Sequence, residues 1–535
     1  MSERLRSTAF LLTTSTLLAG VAGAATPQDW PTWGRDETRN MASPEAKGLP
    51  GSFEAGDFVG ASDEIDMATT KNVKWIAKLG SQSYGNPVIS DGRIYVGTNN
   101  DTPRDPRFKG DRATVYAFEE DSGDFLWQLN CPKLGTGKVS DWEYLGICCS
   151  PTVEGDRIYI VTNRCEVMCL DANGMSDGNQ GYQDEGKYMA WSVQEGDKAK
   201  PMDVAATDAD ILWVYNMIDE LGVFPHNITT SSVLLAGDLL WVTTSNGVDY
   251  GHVETPAPQA PSLILMDKNT GELLGEEASG LSSRIFHSNW SSPTYLRTDD
   301  VELCIFGGPD GVCYAFEKTP IDGPDGWPIL KEAWRYDCNP PEYREKDGKK
   351  ITYTDRYGPS EILGTPITYD GLVYCVIGQD PEHGEGIGNL TCIDPTGKEV
   401  WSYRDINRSL STMAAMDGLL FVADFSGFVY CFDAKSGELQ WRHDTKGHIW
   451  ASPMVADGKV YIGNEDGFMT ILPATNRFFD EDGNPREYDP KKDMVEVDMI
   501  SPIYSSAVTA NGVLYVATHT HLYAIEEGAT PSKTQ

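Results

Sequence analysis

Positive charge is scarce in this chain. Its 535 residues carry 43 Lys and Arg against 80 Asp and Glu, a net charge of −37. A surface of that sign repels phosphate backbones and anionic lipid, so nucleic acid is excluded as a partner and acidic membranes are disfavoured. Long apolar runs are missing too. After residue 21 no stretch reaches the roughly 18 uninterrupted apolar residues that a membrane-crossing helix needs, so no membrane span is expected. No window carries a strong amphipathic helical period, which argues against a helical core. Nor is there a C-x-x-C-H motif, so no haem c is attached.

What is present starts with an address. Arg4 and Arg6 precede an apolar run over residues 9–21, and Ala22-Gly23-Ala24 follows as a small-residue cleavage site. Residues 1–24 therefore read as a secretory signal peptide, which implies a periplasmic or extracellular protein in a disulfide-permissive compartment. Residues 25–71 read as an N-terminal arm, 72–527 as a repeat region and 528–535 as a flexible tail.

The repeat is an Asx-Gly turn between an aliphatic pair and an aliphatic-aromatic strand, then a third strand ending in an acid, then Gly-Glu and a Trp. The first copy runs from Pro87 through Asp91-Gly92 and Ile94-Tyr95-Val96 to Tyr116-Ala117-Phe118 and Trp127. Later copies start near Pro151, Ser232, Pro293, Pro366, Met416, Pro453 and Ala507. Alternation with Asx-Gly turns means hairpins, and repeats of this length with four strands are propeller blades. The eighth copy lacks its Trp strand, while an unmatched one, Asn72 to Leu79 around Trp75, opens the repeat region. The reading is an all-β, eight-bladed β-propeller of four-stranded antiparallel blades, closed by that N-terminal strand.

Insertions at residues 174–210, 248–261, 337–358 and 380–388 are expected to build one functional face, as loops on rigid scaffolds do. The Asp480-Glu481-Asp482-Gly483-Asn484 run is solvated surface or a calcium loop, though it lacks the spacing of the latter. Cys169, Cys392 and Cys431 fill the slot held by Ala117, Ala315 and Ala524 in other copies, so they read as small core residues. Cys304 and Cys313 flank a tight turn and either face each other across it or fall there by chance. Cys148-Cys149 is either two reduced strand residues or a strained vicinal ring.

Taken with Asp29-Trp30-Pro31-Thr32-Trp33-Gly34-Arg35-Asp36, Asn72-Val73-Lys74-Trp75, and Ser426-Gly427 through Trp441, the chain resembles the pyrroloquinoline quinone (PQQ) dehydrogenases, quinoproteins of the methanol dehydrogenase type, over nearly its whole mature length. The resemblance implies a PQQ cofactor between a vicinal disulfide, matched by Cys148 and Cys149, and a tryptophan of an Asn-Trp pair, matched by Asn289 and Trp290. It implies a cofactor hydroxyl at Thr230, calcium at Asp249 and Asp310, and a catalytic base at Glu361. In that family calcium polarises the quinone, and the base takes the proton of an alcohol, sugar or aldehyde substrate.

The chain also departs from that pattern. Tyr84 stands where the family has a glutamate, Val153 and Glu154 where it has an arginine, and Arg356 or His383 would have to replace a second arginine. Two functions are therefore expected in parallel. One is a dehydrogenase using PQQ and calcium, with a small-molecule substrate and a separate electron acceptor. The other is a non-enzymatic propeller serving as a scaffold for a protein partner or a ligand, like the outer-membrane assembly propellers.

Overall fold

The computed structural model describes residues 28–531 apart from 354–357 and 384–385. The signal peptide, Arg356 and the end of the C-terminal tail lie outside the described residues, as does the side chain of His383. Among the described residues eight four-stranded blades follow one another, and four short α-helices sit in connections. No described helix is long and apolar enough to cross a membrane.

Within each blade the strands are named a to d from the axis outward. Blade 1 is Val88–Ser90, Arg93–Asn99, Ala113–Glu119 and Phe125–Cys131. Blade 8 is Val508–Ala510, Val513–Ala517 and His521–Ile525, with Val73–Lys78 as its strand d. Trp75 pairs with Ala524 there, so the N-terminal strand closes the ring as the sequence predicts. Closure removes the open sheet edge that an incomplete last blade would leave.

One cross-strand triplet explains the repeat. In blade 1 the order is Tyr95, Ala117, Trp127; in blade 2, Tyr159, Cys169, Trp213; in blade 5, Tyr374, Cys392, Trp401; in blade 6, Phe421, Cys431, Trp441. A small residue must sit between two large rings, and Ala and Cys alone supply it in these blades. The strand register slips directly after that residue each time. Each such bulge sharpens the local twist. The Trp then docks on the next blade. Trp75 Nε1 donates to Glu120 O at 3.0 Å, Trp127 to Ala172 O at 2.9 Å and Trp401 to Ala434 O at 3.1 Å. The ring of Trp75 lies flat on the turn glycine, where a Cβ on Gly123 would fall 2.6 Å from Trp75 Cδ2. The same contact puts Gly271 on Trp213, Gly397 on Trp334 and Gly437 on Trp401. Cys304 and Cys313 do not face each other: their cross-strand partners are Phe316 and Gly307.

The arm is part of the disc. Trp30 bridges Ile89 of blade 1, Pro31 O accepts from Val153 of blade 2, Glu37 O from Tyr295 of blade 4 and Thr38 O from Thr368 of blade 5. Ala42–Ser43 then pairs in parallel with strand a of blade 7. The arm thus runs along the inner strands and stitches these five blades together.

The insertions divide. Residues 248–261 and 380–388 connect strands b and c of blades 3 and 5, and residues 337–358 connect blade 4 to blade 5, so these share one end of the disc. Residues 174–210 do not. They join strands c and d of blade 2 and run along the rim against blade 1, with Ala209 N donating to Gln128 O at 2.8 Å and Arg112 to Met189 O at 2.7 Å. The expectation that all four build one face is corrected to three.

Candidate functional site

The segment entering each strand a has a three-residue pattern, and it builds the axial cavity. The pattern is a wall residue, a small residue, then Ser, Thr or Asn. The third position binds the blades together. The backbone N–H of Ser150 donates to Ser232 Oγ, Ser232 to Ser292, Thr365 to Thr412, Thr412 to Ser452, Ser452 to Ser506 and Ser506 to Asn86 Oδ1, at 2.5–3.1 Å. The first position faces the axis. Its eight occupants, Tyr84, Cys148, Thr230, Trp290, Leu363, Leu410, Trp450 and Tyr504, all line one cavity of about 600 Å³. Trp33 of the arm lines it too and is held by Thr365 Oγ1, 3.2 Å from its Nε1. Volume and aromatic walls suit a small organic ligand.

The two cysteines divide between these roles. Cys148 is the wall residue. Cys149 occupies the small slot, and its Sγ lies 3.0 Å from Val161 O, a job that Ser505 Oγ does towards Ala517 O at 2.6 Å in blade 8. Both are thiols, as are the other nine cysteines, and the vicinal ring is not formed. Burial pushes each thiol of the pair up to about 12.

Of the expected site residues, Cys148, Cys149, Thr230 and Trp290 meet on the cavity. The others do not. Asn289 is buried behind it, its amide donating to Asn246 O at 2.9 Å. Glu361 is fully buried, accepts from the Tyr353 hydroxyl at 2.6 Å and lies 4.0 Å from His287 Nδ1. Burial holds its carboxyl well above the usual range, against the Tyr353 hydrogen bond. Asp249 spends one oxygen on the N–H groups of Val253 and Glu254 at 2.8 and 3.1 Å. Asp310 accepts from Arg284 at 3.3 Å and from Tyr314 at 2.7 Å.

Calcium does not fit this donor set. One carboxylate is already neutralised by a guanidinium, the other caps its own turn, and neither reaches the cavity wall. PQQ does not fit either. A molecule with three carboxylates needs cationic or donor-rich partners, yet no Lys or Arg is among the described lining residues, while Asp380 and Glu382 are.

Sequence reasoning missed five of the eight wall residues as ligand contacts, and Trp33 and Trp142. The signal was there: each wall residue stands two positions before the Ser, Thr or Asn that opens a copy. The wall formed by Tyr84, Trp450 and Tyr504 has ring centroids 5.0–6.3 Å apart, with His519 4.3 Å from Tyr504.

Burial pulls His519 and His521 down to about 4. An unfolded imidazole takes its proton near 6.5, so between those values only the unfolded chain is protonated. Their contribution to stability is intact above about pH 6.5 and is lost as pH falls towards 4, by roughly 2 kcal/mol per imidazole. Buried carboxyls such as Glu361 titrate in the opposite sense, so the histidines are read as a difference. In urea unfolding, the stability gap between the wild type and His519→Gln/His521→Gln should narrow from pH 7 to pH 4.5; a constant gap would contradict this account.

Residues 58–248 and 386–486, together more than half of the chain, match the family profile described as outer membrane protein assembly factor BamB. The quinoprotein alcohol dehydrogenase PedH of Pseudomonas putida is 30% identical over 129 residues, 22% of each chain. The outer membrane protein assembly factor BamB of Moranella endobia is 28% identical over 112 residues, 21% of this chain and 26% of that one. The matched stretch thus spans about a quarter or less of either relative. Among solved structures, a europium-containing methanol dehydrogenase superposes with a TM-score of 0.53 at 12% identity, covering 94% of this chain and 98% of that one, which speaks for a shared fold.

Proposed function

The chain belongs to the PQQ-type propeller family described as outer membrane protein assembly factor BamB, and from that premise we propose that it is a ligand-binding member whose axial cavity takes a compact organic cation. One observation carries this reading. Trp33, Tyr84, Trp142, Trp290, Trp450 and Tyr504 surround a cavity whose charged described lining is Asp380 and Glu382. Aromatic faces attract a desolvated cation by about 0.5–2 kcal/mol each, and the carboxylates complete its neutralisation. The acidic surface would raise the local concentration of such a ligand. A cell-envelope location, periplasmic in a bacterium, accords with residues 1–24 and with the family.

A dehydrogenase using PQQ and calcium is the second reading, favoured by Cys148, Cys149, Thr230 and Trp290 sharing one cavity. The donor chemistry disfavours it, so no catalytic step is assigned to Glu361.

Tryptophan fluorescence separates the two. Titration with benzyltrimethylammonium should quench the emission saturably, and Trp290→Ala should weaken binding about tenfold, the loss of one cation–π face. PQQ with Ca²⁺ should leave the signal unchanged to millimolar concentration. Tight PQQ binding with dye reduction by an alcohol would overturn the proposal in favour of the dehydrogenase.

A further inference from the structure

Beside the axial cavity, three histidines from distant points of the chain converge. His226 enters blade 3, His252 stands on the 248–261 insertion and His287 precedes blade 4. Backbone pairing fixes the three segments side by side. Pro225 bridges Asn246, Gly247 bridges Ser288, and Val248 N donates to His287 O at 2.9 Å. The approach is so close that a Cβ on Gly247 would fall 2.4 Å from His226 Cβ.

The Nε2 atoms form a near-equilateral triangle. His226 to His287 is 3.1 Å, His252 to His226 is 3.0 Å and His287 to His252 is 3.2 Å. His226 Nδ1 is 2.7 Å from Val248 O. A carbonyl only accepts, so Nδ1 carries the proton and Nε2 turns a lone pair to the centre. An imidazole nitrogen either donates or accepts, so no choice of tautomers makes a good hydrogen bond along all three edges of such a triangle. One cation satisfies all three.

We propose that His226, His252 and His287 bind a borderline divalent transition-metal ion such as Zn²⁺ through their Nε2 atoms. At the usual Zn–N length the ion would sit about 1 Å above the plane of this triangle, where a fourth ligand would complete a tetrahedral site. A neutral imidazole set with no thiolate suits such an ion and not Ca²⁺. The surroundings of His226 are those of a ligating histidine, whose second nitrogen is held by a carbonyl or carboxylate. Val248 O serves His226. Glu361 lies 4.0 Å from His287 Nδ1 and is itself oriented by Tyr353. Tyr353 stacks on the His287 ring at 6.1 Å, and Trp290 meets it edge-on at 5.0 Å. His226 and His287 are buried and His252 is half-buried, so the ion would enter beside the insertion and pin it to the disc. Glu361 thereby gains a role as a positioning residue for His287, independent of what fills the axial cavity.

The test uses the full mature chain, without an affinity tag, stripped with a chelator. Equilibrium dialysis against Zn²⁺ should give about one tightly held equivalent, and Co²⁺ in its place should show the visible bands of a four-coordinate nitrogen site. His252→Ala, on an insertion, should fold with an unchanged thermal midpoint in chelator but lose affinity about a hundredfold, and Zn²⁺ should no longer raise its midpoint. Glu361→Gln should bind about tenfold more weakly. Failure of the wild type to retain Zn²⁺, or retention unchanged in His252→Ala, would overturn the proposal; unchanged affinity in Glu361→Gln would remove Glu361 from the site.

Discussion

Replacing Arg39 by alanine should lower stability by about 4 kcal/mol. The side chain is completely buried. Its guanidinium donates to Pro293 O at 2.9 Å, Thr32 Oγ1 and Trp33 O at 2.8 Å and Ser232 O at 3.0 Å. One group therefore ties two turns of the arm to the entries of blades 3 and 4. Burial lowers its pKa to about 9 although Asp36 opposes the change, so it stays charged at neutral pH. Alanine would leave three carbonyls without a donor in a dry site, and each such orphan costs about 1–3 kcal/mol. Arg39→Lys keeps the charge but not the planar fork and should lose about half as much. Urea unfolding at pH 7 reads both. An unchanged midpoint for Arg39→Ala would mean that the arm lies outside the cooperative unit.

Trp75→Ala should cost about 3–5 kcal/mol, the range for deleting a large buried ring. Trp75 is completely buried, pairs with Ala524, rests on Gly123 and donates to Glu120 O. It is thus the joint between blade 8 and blade 1, where the two ends of the chain meet. Loss of the ring opens a cavity and leaves the Glu120 carbonyl without that donor. Trp327, 55% exposed on a loop, is the control, and Trp327→Ala should stay within about 0.5 kcal/mol of the wild type. Equal losses in the two variants would show that the seam is not held by the docked ring.

The disc was legible in the sequence because its physics is local and repeated. Asx-Gly turns, strand alternation and a Trp seven or eight residues after the acid that ends a strand recur often enough to count blades. The small slot between two rings accepts only Ala or Cys in most blades, so Cys169, Cys392 and Cys431 could be placed without coordinates. The site was only partly legible. Cys148, Thr230 and Trp290 stood out through a family pattern, yet their equivalents Leu410, Trp450 and Tyr504 obey the same spacing and went unused. For the acids the structure adds an electrostatic reason against metal: Asp249 and Asp310 sit at turns where the family has metal ligands, but backbone N–H groups bond one oxygen of Asp249 and Arg284 and Tyr314 bond Asp310.

By itself the sequence determined the eightfold repeat, the closing strand and the sign of the surface, since each follows from neighbours along the chain. Tertiary structure alone decided that the arm runs along blades 1, 2, 4, 5 and 7, that Trp33 reaches the axial cavity, and that the nitrogen atoms of His226, His252 and His287 stand within 3.2 Å of one another. Those three residues are separated by a whole blade of chain, and no spacing rule spans a connection whose ends are set by sheet closure rather than by local geometry.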